Sequence, residues 1–439
     1  MVQIDAFRGI RYDLGHVGAL GDVIAPPYDV IDDDLRDQLY ERHAANVIRL
    51  ILNRVEPGDE SADTHYGRAA QFFKQWLRQG VLLTEADPAI YVYHQVFTYQ
   101  GEQFTRRGFM SRMQLEPLGQ GSVFPHEETH AAAKADRLKL YTACRAQLSQ
   151  IFGIYPDPDN KAQGLLESAV ADSAPLEAVD HLGVTHRIWP ITDVKLISEV
   201  AAVMASQPLY IADGHHRYET ACNYQQQLLE EQGELPGNHP ANGVLMMSVS
   251  MNDPGMIVLP THRLLRGFAA LSSSDLVQLI GSCFDIQPAG EAAGSARTAW
   301  ETIEEENEQG TVGLYCPVDS TWLLARINAT GKQRMAEIAP ERSDAWRSLG
   351  VSILHKLVIE TLLGHAELPK PDYVHLVDEV VDGLSAGDDE GTPYPLAALV
   401  MPATLDHIRE ISQQGERMPA KSTYFYPKLL SGLVIHRLE

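Results

Sequence analysis

The stretch PLYIADGHHRYETACNYQQQLLEEQ, residues 208–232, decides the fold expected of this chain. Its apolar start predicts a buried strand, and the residues after Arg217 have helical spacing, with Tyr218, Cys222 and Leu229 on one face. A strand that turns through a glycine into a helix points backbone N–H groups outward at the positive end of the helix dipole. The stretch therefore predicts an α/β architecture with an anion site at the turn.

The turn itself, Asp213 to Arg217, supplies side chains that suit phosphate. Gly214 lets the backbone approach a ligand closely, since a larger side chain would stand in the way. His215, His216 and Arg217 add hydrogen-bond donors. We expect Asp213 to contact Mg²⁺ or to orient a histidine. A purely structural role, with Asp213 capping the helix, explains neither the imidazoles nor the arginine. Metal ligation by His215 and His216 is a further alternative, although adjacent residues that enter a helix diverge.

Composition and charge indicate a folded, acidic chain. Its 439 residues exceed one ordinary core, 44% of them are apolar, and the formal net charge is −24. Such a negative field repels phosphates and disfavours a nucleic-acid partner. The sequence contains no run of about 18 uncharged apolar residues, the length that a membrane span requires. Four scattered cysteines without a C-x-x-C pair fit a reducing cytosol. We therefore expect a cytoplasmic protein with no membrane segment.

The periodicity predicts two mixed α/β (α+β) domains, residues 1–260 and 261–439. QGEQ between two strand-like runs is a hairpin signal. The clearest other segments are a strand at 46–52 and helices at 64–82, 133–151 and 343–364.

HEETH, residues 126–130, matches the zincin pattern H-E-x-x-H, in which two histidines one helical turn apart bind Zn²⁺. Pro125 before the first histidine indicates a loop or a first turn instead, and Ala133 replaces the glycine of the metzincin extension. We favour Glu127 as a general base that deprotonates an acceptor hydroxyl, with His126 as its neighbour. A structural alternative is that Glu127 only favours a helix N-terminus.

GERMPAKS, residues 415–422, is one residue from the P-loop pattern, with Ala420 in place of the second glycine. A P-loop leaves a strand and enters a helix, whereas a predicted helix precedes this segment and Pro419 interrupts it. We therefore predict that it is not a phosphate loop. Lys421 or Lys428 can still reach an anion, with exposed surface charge as the alternative.

Three further residues have open roles. PTHR places His262 and Arg263 just after an apolar run, where they line the same pocket or only start the second domain. The stiff PPYD segment presents Asp29 either as a cleft carboxylate or as a buried cap.

The segment ADGHHRY resembles the signature of the ParB/sulfiredoxin superfamily, whose loop in sulfiredoxin reads G-C-H-R. A nearer match is the D-G-H-H-R of the free-serine kinases in that superfamily. The whole chain also resembles a widespread bacterial and archaeal family of unknown function that is described as ParB-like. That likeness rests on APPYDVI, PHEETH with KADRLKLY, ADGHHRYETA, LPTHRLL and MPAKSTYFYPKLLSGL.

The resemblance implies a ParB/sulfiredoxin-like nucleotide-binding domain over residues 1–260, followed by a C-terminal α/β domain. Gly214, His215, His216 and Arg217 would cradle the nucleotide phosphates. His215 stands where sulfiredoxin keeps its reactive cysteine, so sulfinic-acid reduction through that thiol is not implied. Partition of DNA is not implied either, because no basic helix-turn-helix is visible and the net charge opposes it.

The leading hypothesis is a nucleotide-dependent phosphotransferase that acts on a small hydroxylated metabolite such as serine, with ATP or ADP and Mg²⁺ as cofactors. The alternatives are a non-catalytic nucleotide-binding regulator and a zinc hydrolase that uses HEETH. The predicted catalytic residues are Glu127, His126 and Asp213; the predicted nucleotide-binding residues are Gly214, His215, His216, Arg217 and Lys421; and Asp213 is the predicted metal contact.

Overall fold

The computed structural model describes residues 1–59, 61, 63–119 and 121–439, which form two compact units. Each unit combines sheets with helices, which confirms the mixed α/β class. The chain leaves the first unit after Ile257 and re-enters it at Pro427, whereas the sequence predicted one boundary at residue 260. The first unit comprises residues 1–125, 129–257 and 427–439, and the second comprises 126–128 and 258–426.

The regular elements cover most of the described chain. The strands are β1 Ile4–Asp5, β2 Ile10–Tyr12, β3 Leu82–Thr84, β4 Ile90–Tyr99, β5 Glu102–Gln114, β6 Val123–Phe124, β7 Ala146–Gln147, β8 Ile151–Tyr155, β9 Leu176–Val179, β10 Thr185–Ile191, β11 Leu209–Asp213, β12 Gly243–Ser250, β13 Ile257–Leu259, β14 His262–Leu265, β15 Phe284–Glu291, β16 Thr311–Cys316, β17 Thr321–Ile327, β18 Asp372–Val374, β19 Leu396–Val400, β20 Tyr424–Tyr426 and β21 His436–Arg437.

The helices follow the same order. The α-helices are α1 Leu14–Val17, α2 Asp33–Arg42, α3 Ile48–Ile51, α4 Thr64–Arg78, α5 Ala131–Cys144, α6 Lys161–Val170, α7 Val194–Ala205, α8 His215–Gln232, α9 Ser273–Ile280, α10 Ala296–Glu306, α11 Ala329–Ile338, α12 Asp344–Ser348, α13 Gly350–Ser352, α14 Val377–Ala386 and α15 Leu405–Gln413. Short 3-10 turns lie at Leu20–Asp22, Tyr28–Val30, Pro240–Asn242 and Ala293–Ser295, and a π-helix spans Ile353–Leu362.

A nine-stranded mixed sheet forms the centre of the first unit, in the order β6-β11-β8-β12-β5-β4-β10-β9, with β1 also paired to β5. The predicted hairpin is confirmed: β4 and β5 pair antiparallel from Tyr91 opposite Met110 to Tyr99 opposite Glu102. Gln100 and Gly101 turn with φ angles of 49° and 82°, the left-handed geometry that suits the twist of a two-residue hairpin. In the same sheet β11 pairs with β8, so the turn that follows β11 lies at the end of these two strands.

Helices cover the apolar residues of this sheet. Phe109 on β5, Ile211 on β11 and Tyr218 on α8 share one core cluster of buried side chains. The predicted apolar face of α4 is also confirmed, because Tyr66, Ala69, Phe73 and Trp76 are all buried. The helix after Asp213 is therefore packed against the sheet, and its first turn is fixed in place.

The second unit has its own antiparallel sheet, in the order β15-β17-β16-β19-β14-β18. Trp322 and Leu399 from the sheet pack with Ala299 and Ile303 of α10 in a separate core cluster.

One predicted strand is wrong, and two predicted helices are present but shorter or interrupted. The segment 46–52 contains helix α3 and no strand, and each apolar residue of that helix is buried. The helix predicted over 133–151 ends at Cys144, after which Arg145 is left-handed and the chain enters β7 and β8. The segment 343–364 is broken at Leu349, which has an extended backbone, and continues as the π-helix.

None of the helices among the described residues combines the length and apolar character needed to cross a membrane.

The central strand β5 provides a test of the first core. Phe109 is 0% exposed, so Phe109→Ala should lower the free energy of unfolding by about 3–5 kcal/mol, as for other buried aromatic residues. Urea denaturation followed by circular dichroism measures the shift. Leu83→Ala, at a strand position that is 50% exposed, is the control and should leave the midpoint nearly unchanged. Equal shifts for the two variants would contradict this packing.

Candidate functional site

The predicted strand–glycine–helix turn is present in the first unit. β11 ends at Asp213 and α8 begins at His215, so the chain changes direction at Gly214 alone. Gly214 has φ 92° and ψ 28°, a left-handed conformation that side chains disfavour. A Cβ built on this residue would lie 2.9 Å from Nη2 of Arg217. Both the backbone and the neighbouring guanidinium therefore require glycine here.

Asp213 forms two ion pairs within the first unit. Arg217 Nη2 donates to Asp213 Oδ2 at 2.8 Å, and Lys428 Nζ donates to Asp213 Oδ1 at 3.0 Å. Arg217 Nη1 also donates to the carbonyl of Gln150. The Asp213 triad, meaning Asp213, Arg217 and Lys428, has side chains that are 19%, 7% and 12% exposed. Two cations thus share one carboxylate in a largely buried setting.

These ion pairs bear on the roles expected of Asp213. The N-cap residue of α8 is Gly214, with no side-chain cap, so Asp213 does not have the purely capping role. Cations on both carboxylate oxygens oppose a divalent metal ion electrostatically. The described part of the chain has no group of three or more His, Cys, Asp or Glu side chains that could hold a metal ion. The geometry favours Asp213 as the residue that holds Arg217 and Lys428; its role as a Mg²⁺ contact stays a prediction.

The two histidines of the turn differ in setting. His215 is buried, whereas His216 is partly exposed. Nε2 of His216 accepts a hydrogen bond from the backbone N–H of His130 at 2.9 Å, and the two rings stack with centroids 5.9 Å apart. Because Nε2 is an acceptor, a neutral His216 carries its proton on Nδ1 and is a donor at that atom. The backbone of His130, which the sequence did not single out for this role, fixes the tautomer.

The loop that contains Asp29 lies near Arg217 in the same unit. Burial raises the pKa of Tyr28, the carboxylate of Asp29 raises it further, and the Arg137 and Arg217 guanidinium groups lower it. Arg137 also stacks over the Tyr28 ring, 4.1 Å from its centroid. Asp29 itself is exposed. The PPYD segment is thus close enough to the turn for the charge of Arg217 to act on Tyr28.

His126, Glu127 and Lys421 belong to the second unit. Glu127 Oε1 accepts hydrogen bonds of 3.0 Å from the backbone N–H groups of Ser422 and Thr423 and from Oγ1 of Thr423. Lys421 has φ 58°, and this left-handed residue lets the two following amides converge on one carboxylate. Sequence reasoning missed Ser422 and Thr423 as partners of Glu127.

His126 completes this arrangement. Its Nε2 lies 2.9 Å from Oγ1 of Thr423. The single hydroxyl proton of Thr423 is donated to Glu127, so His126 must be the donor and carries a proton on Nε2. A chain of hydrogen bonds therefore runs from the buried imidazole through the hydroxyl to the carboxylate, in agreement with the predicted pairing of His126 and Glu127.

HEETH lies outside any helix in the structure. Glu127 forms a parallel bridge with Met418, and the following helix, α5, begins only at Ala131. The zincin arrangement requires both histidines on one helix, so this geometry gives no support to the zinc alternative. GERMPAKS likewise follows helix α15 and leads to strand β20, which confirms that it is not a P-loop.

Arg263 and His262 lie inside the second unit. Arg263 is fully buried and donates from Nη2 to the carbonyl of Lys421 at 2.9 Å, which supports the loop that holds Glu127. Burial, together with the positive charges of Arg263 and His375, lowers the pKa of His262 to about 3. No partner of His262 Nε2 is present among the described residues.

The glycine at the turn yields a stability test with a control in the same helix. Gly214→Ala should lower the thermal midpoint more than Gly233→Ala does, because both residues have a positive φ, 92° and 82°, but only Gly214 faces a fixed guanidinium. The left-handed backbone alone costs an alanine at position 214 about 1–2 kcal/mol. Differential scanning calorimetry measures both. Equal decreases would contradict the close contact with Arg217.

The buried imidazole of His262 yields a pH test of the second unit. The pKa of His262 is about 3 in the folded state and about 6.5 in an unfolded chain, so its contribution to stability is present above pH 6.5 and is lost as the pH falls towards 3. His262→Phe removes this loss. Urea midpoints measured from pH 7 to pH 4 should therefore fall less steeply for the variant than for the wild type. Parallel profiles would contradict this assignment.

Comparisons with known proteins give one family match and several distant structural matches. A family described as "Protein of unknown function (DUF1015)" matches residues 4–352, and no curated protein matches the chain. A free serine kinase mutant in complex with ADP is 10% identical with a TM-score of 0.34, over 69% of this chain and 84% of that one. Free serine kinase in complex with AMP is 10% identical with a TM-score of 0.33, over 71% and 92%. A conserved hypothetical protein from Pyrococcus furiosus is 11% identical with a TM-score of 0.34, over 70% and 89%.

Proposed function

This chain belongs to the DUF1015 family, and we propose that it binds a nucleotide at the turn 213–217 of its first unit. The proposal extends to transfer of a phosphoryl group between that nucleotide and a hydroxyl of a small metabolite, for which serine is the first candidate. This chain's own residues support phosphate binding, whereas the matched structures are too distant in identity and TM-score to support it.

The observation that carries the proposal is the glycine turn at the start of α8. Gly214 adds no side chain of its own at the helix N-terminus, which leaves room for the Arg217 guanidinium, and the helix dipole favours negative charge there. Arg217, in the first turn of the helix, is fixed by Asp213 and by the Gln150 carbonyl. A pre-positioned guanidinium loses little conformational entropy when it binds an oxyanion. This combination suits phosphate better than it suits a neutral ligand.

Catalysis in this proposal uses Glu127 as the base. Ser422 and Thr423 orient its carboxylate, and His126 supports it through Thr423. A general base needs such a fixed orientation because it must accept a proton from one direction. Mg²⁺, bound with the nucleotide phosphates, would supply neutralisation of their charge. The Asp213 carboxylate, already paired with two cations, fits a direct metal contact poorly.

Nucleotide titration tests the binding step. Calorimetry with ADP, AMP and ATP should detect binding to the wild type, and Arg217→Met should weaken it at least tenfold, since a charge-assisted hydrogen bond contributes about 1.5–3 kcal/mol. Arg78→Met, an exposed arginine on α4, is the control and should bind as the wild type does. A wild-type protein that binds none of the three nucleotides rejects the proposal.

Turnover separates an enzyme from a nucleotide-binding regulator. Phosphorus NMR with ADP or ATP and a panel of hydroxylated amino acids should show a phosphorylated product. Glu127→Gln should lose that turnover and retain nucleotide binding, because the substitution keeps the shape of the side chain but removes its basicity. Binding without any product across the panel would favour the regulator.

A further inference from the structure

The segment 427–439 returns to the first unit and is held there by buried side chains. Arg106 Nη2 donates to the carbonyl of Pro427, and Gln95 Nε2 donates to the carbonyl of Lys428 at 3.0 Å. Gln150 Nε2 donates to the carbonyl of Leu430, also at 3.0 Å. All three donors are fully buried. The backbone on both sides of Lys428 is therefore fixed from the interior of the sheet.

This anchoring directs the Lys428 side chain to the glycine turn. Its Nζ lies 3.0 Å from Oδ1 of Asp213, whose other oxygen receives Arg217. The triad contains two cations and one carboxylate, so it carries a net charge of about +1 when all three groups are ionised. Positive charge held away from water is costly unless an anion compensates it. A bound phosphate would therefore be attracted to the two cations that Asp213 holds together.

We infer that Lys428 is a second phosphate-binding cation of the 213–217 turn, beside Arg217, and that Asp213 holds the two at a fixed separation. The inference rests on the proposed nucleotide binding and deepens it, since it identifies the phosphates, and not the base, as the part of the ligand that the triad recognises. An arginine and a lysine held by one carboxylate offer both a planar fork and a compact ammonium to the oxygens.

The competing explanation is that Lys428 only attaches the segment 427–439 to the first unit. An attachment role predicts loss of stability and no distinction between ligands with and without phosphate. A phosphate-binding role predicts an effect confined to phosphorylated ligands. The two explanations are separated by comparing ADP with adenosine.

Calorimetric titration of the full chain with ADP and with adenosine tests the inference. Lys428→Met should weaken ADP binding at least tenfold and leave adenosine binding within twofold of the wild type, while Lys428→Arg should recover most of the ADP affinity. The matched control is Lys139→Met, which removes another Lys–Asp pair, 2.7 Å from Asp63, in the same unit but with side chains that are 52% and 57% exposed. The control should bind both ligands as the wild type does.

Each result has a definite meaning. The inference is overturned if the Lys428→Met variant binds ADP as tightly as the wild type does, or if its affinities for ADP and for adenosine fall in the same proportion. Either result leaves the nucleotide proposal standing. A wild type that binds neither ADP nor adenosine overturns the nucleotide proposal itself, and the inference with it. Thermal midpoints of the variants identify any that fail to fold, and in that case Lys428→Gln is titrated in the same way.

Discussion

The carboxylate of Asp213 brings two cations together at one turn, and the arrangement of the first unit depends on this shared contact. Arg217 comes from the same turn, whereas Lys428 comes from a segment that follows the entire second unit in sequence. Without the carboxylate, the ammonium and the guanidinium would repel each other in a setting with little water. The same group therefore holds the C-terminal segment to the sheet and keeps positive charge at the start of α8.

Local features of the fold follow from local sequence signals. The strand before Asp213, the glycine turn, the β4–β5 hairpin and the buried face of α4 were all predictable, because each depends on residues close together in sequence. The segment 46–52 shows where such signals fail. Its isoleucines indicate a strand, but Ile48 and Ile51 are buried in a short helix, and burial by distant parts of the chain outweighs a β-branched preference.

The candidate site was predictable only in part, for a related reason. The sequence identified Glu127 and His126 but not Ser422 and Thr423, which hold them from almost 300 residues away (295 between Glu127 and Ser422). No spacing rule connects residues that far apart. Lys421 was predicted for its charge, yet the structure uses its backbone, through a left-handed φ angle and a carbonyl that receives Arg263. Contacts between residues that are adjacent in sequence were thus easier to predict than contacts with residues that only the fold brings close.

The return of the chain at Pro427 has a consequence for biosynthesis. Residues 258–426 leave the ribosome before the segment that supplies the carbonyl partner of Arg106, although β5, which contains Arg106, is made early. Burial lowers the pKa of that guanidinium to about 10, so enclosing it before the Pro427 carbonyl arrives is unfavourable. The central sheet of a nascent chain should therefore stay open to water around Arg106 until residues 427–439 have been made, a period in which chaperones have access to its interior.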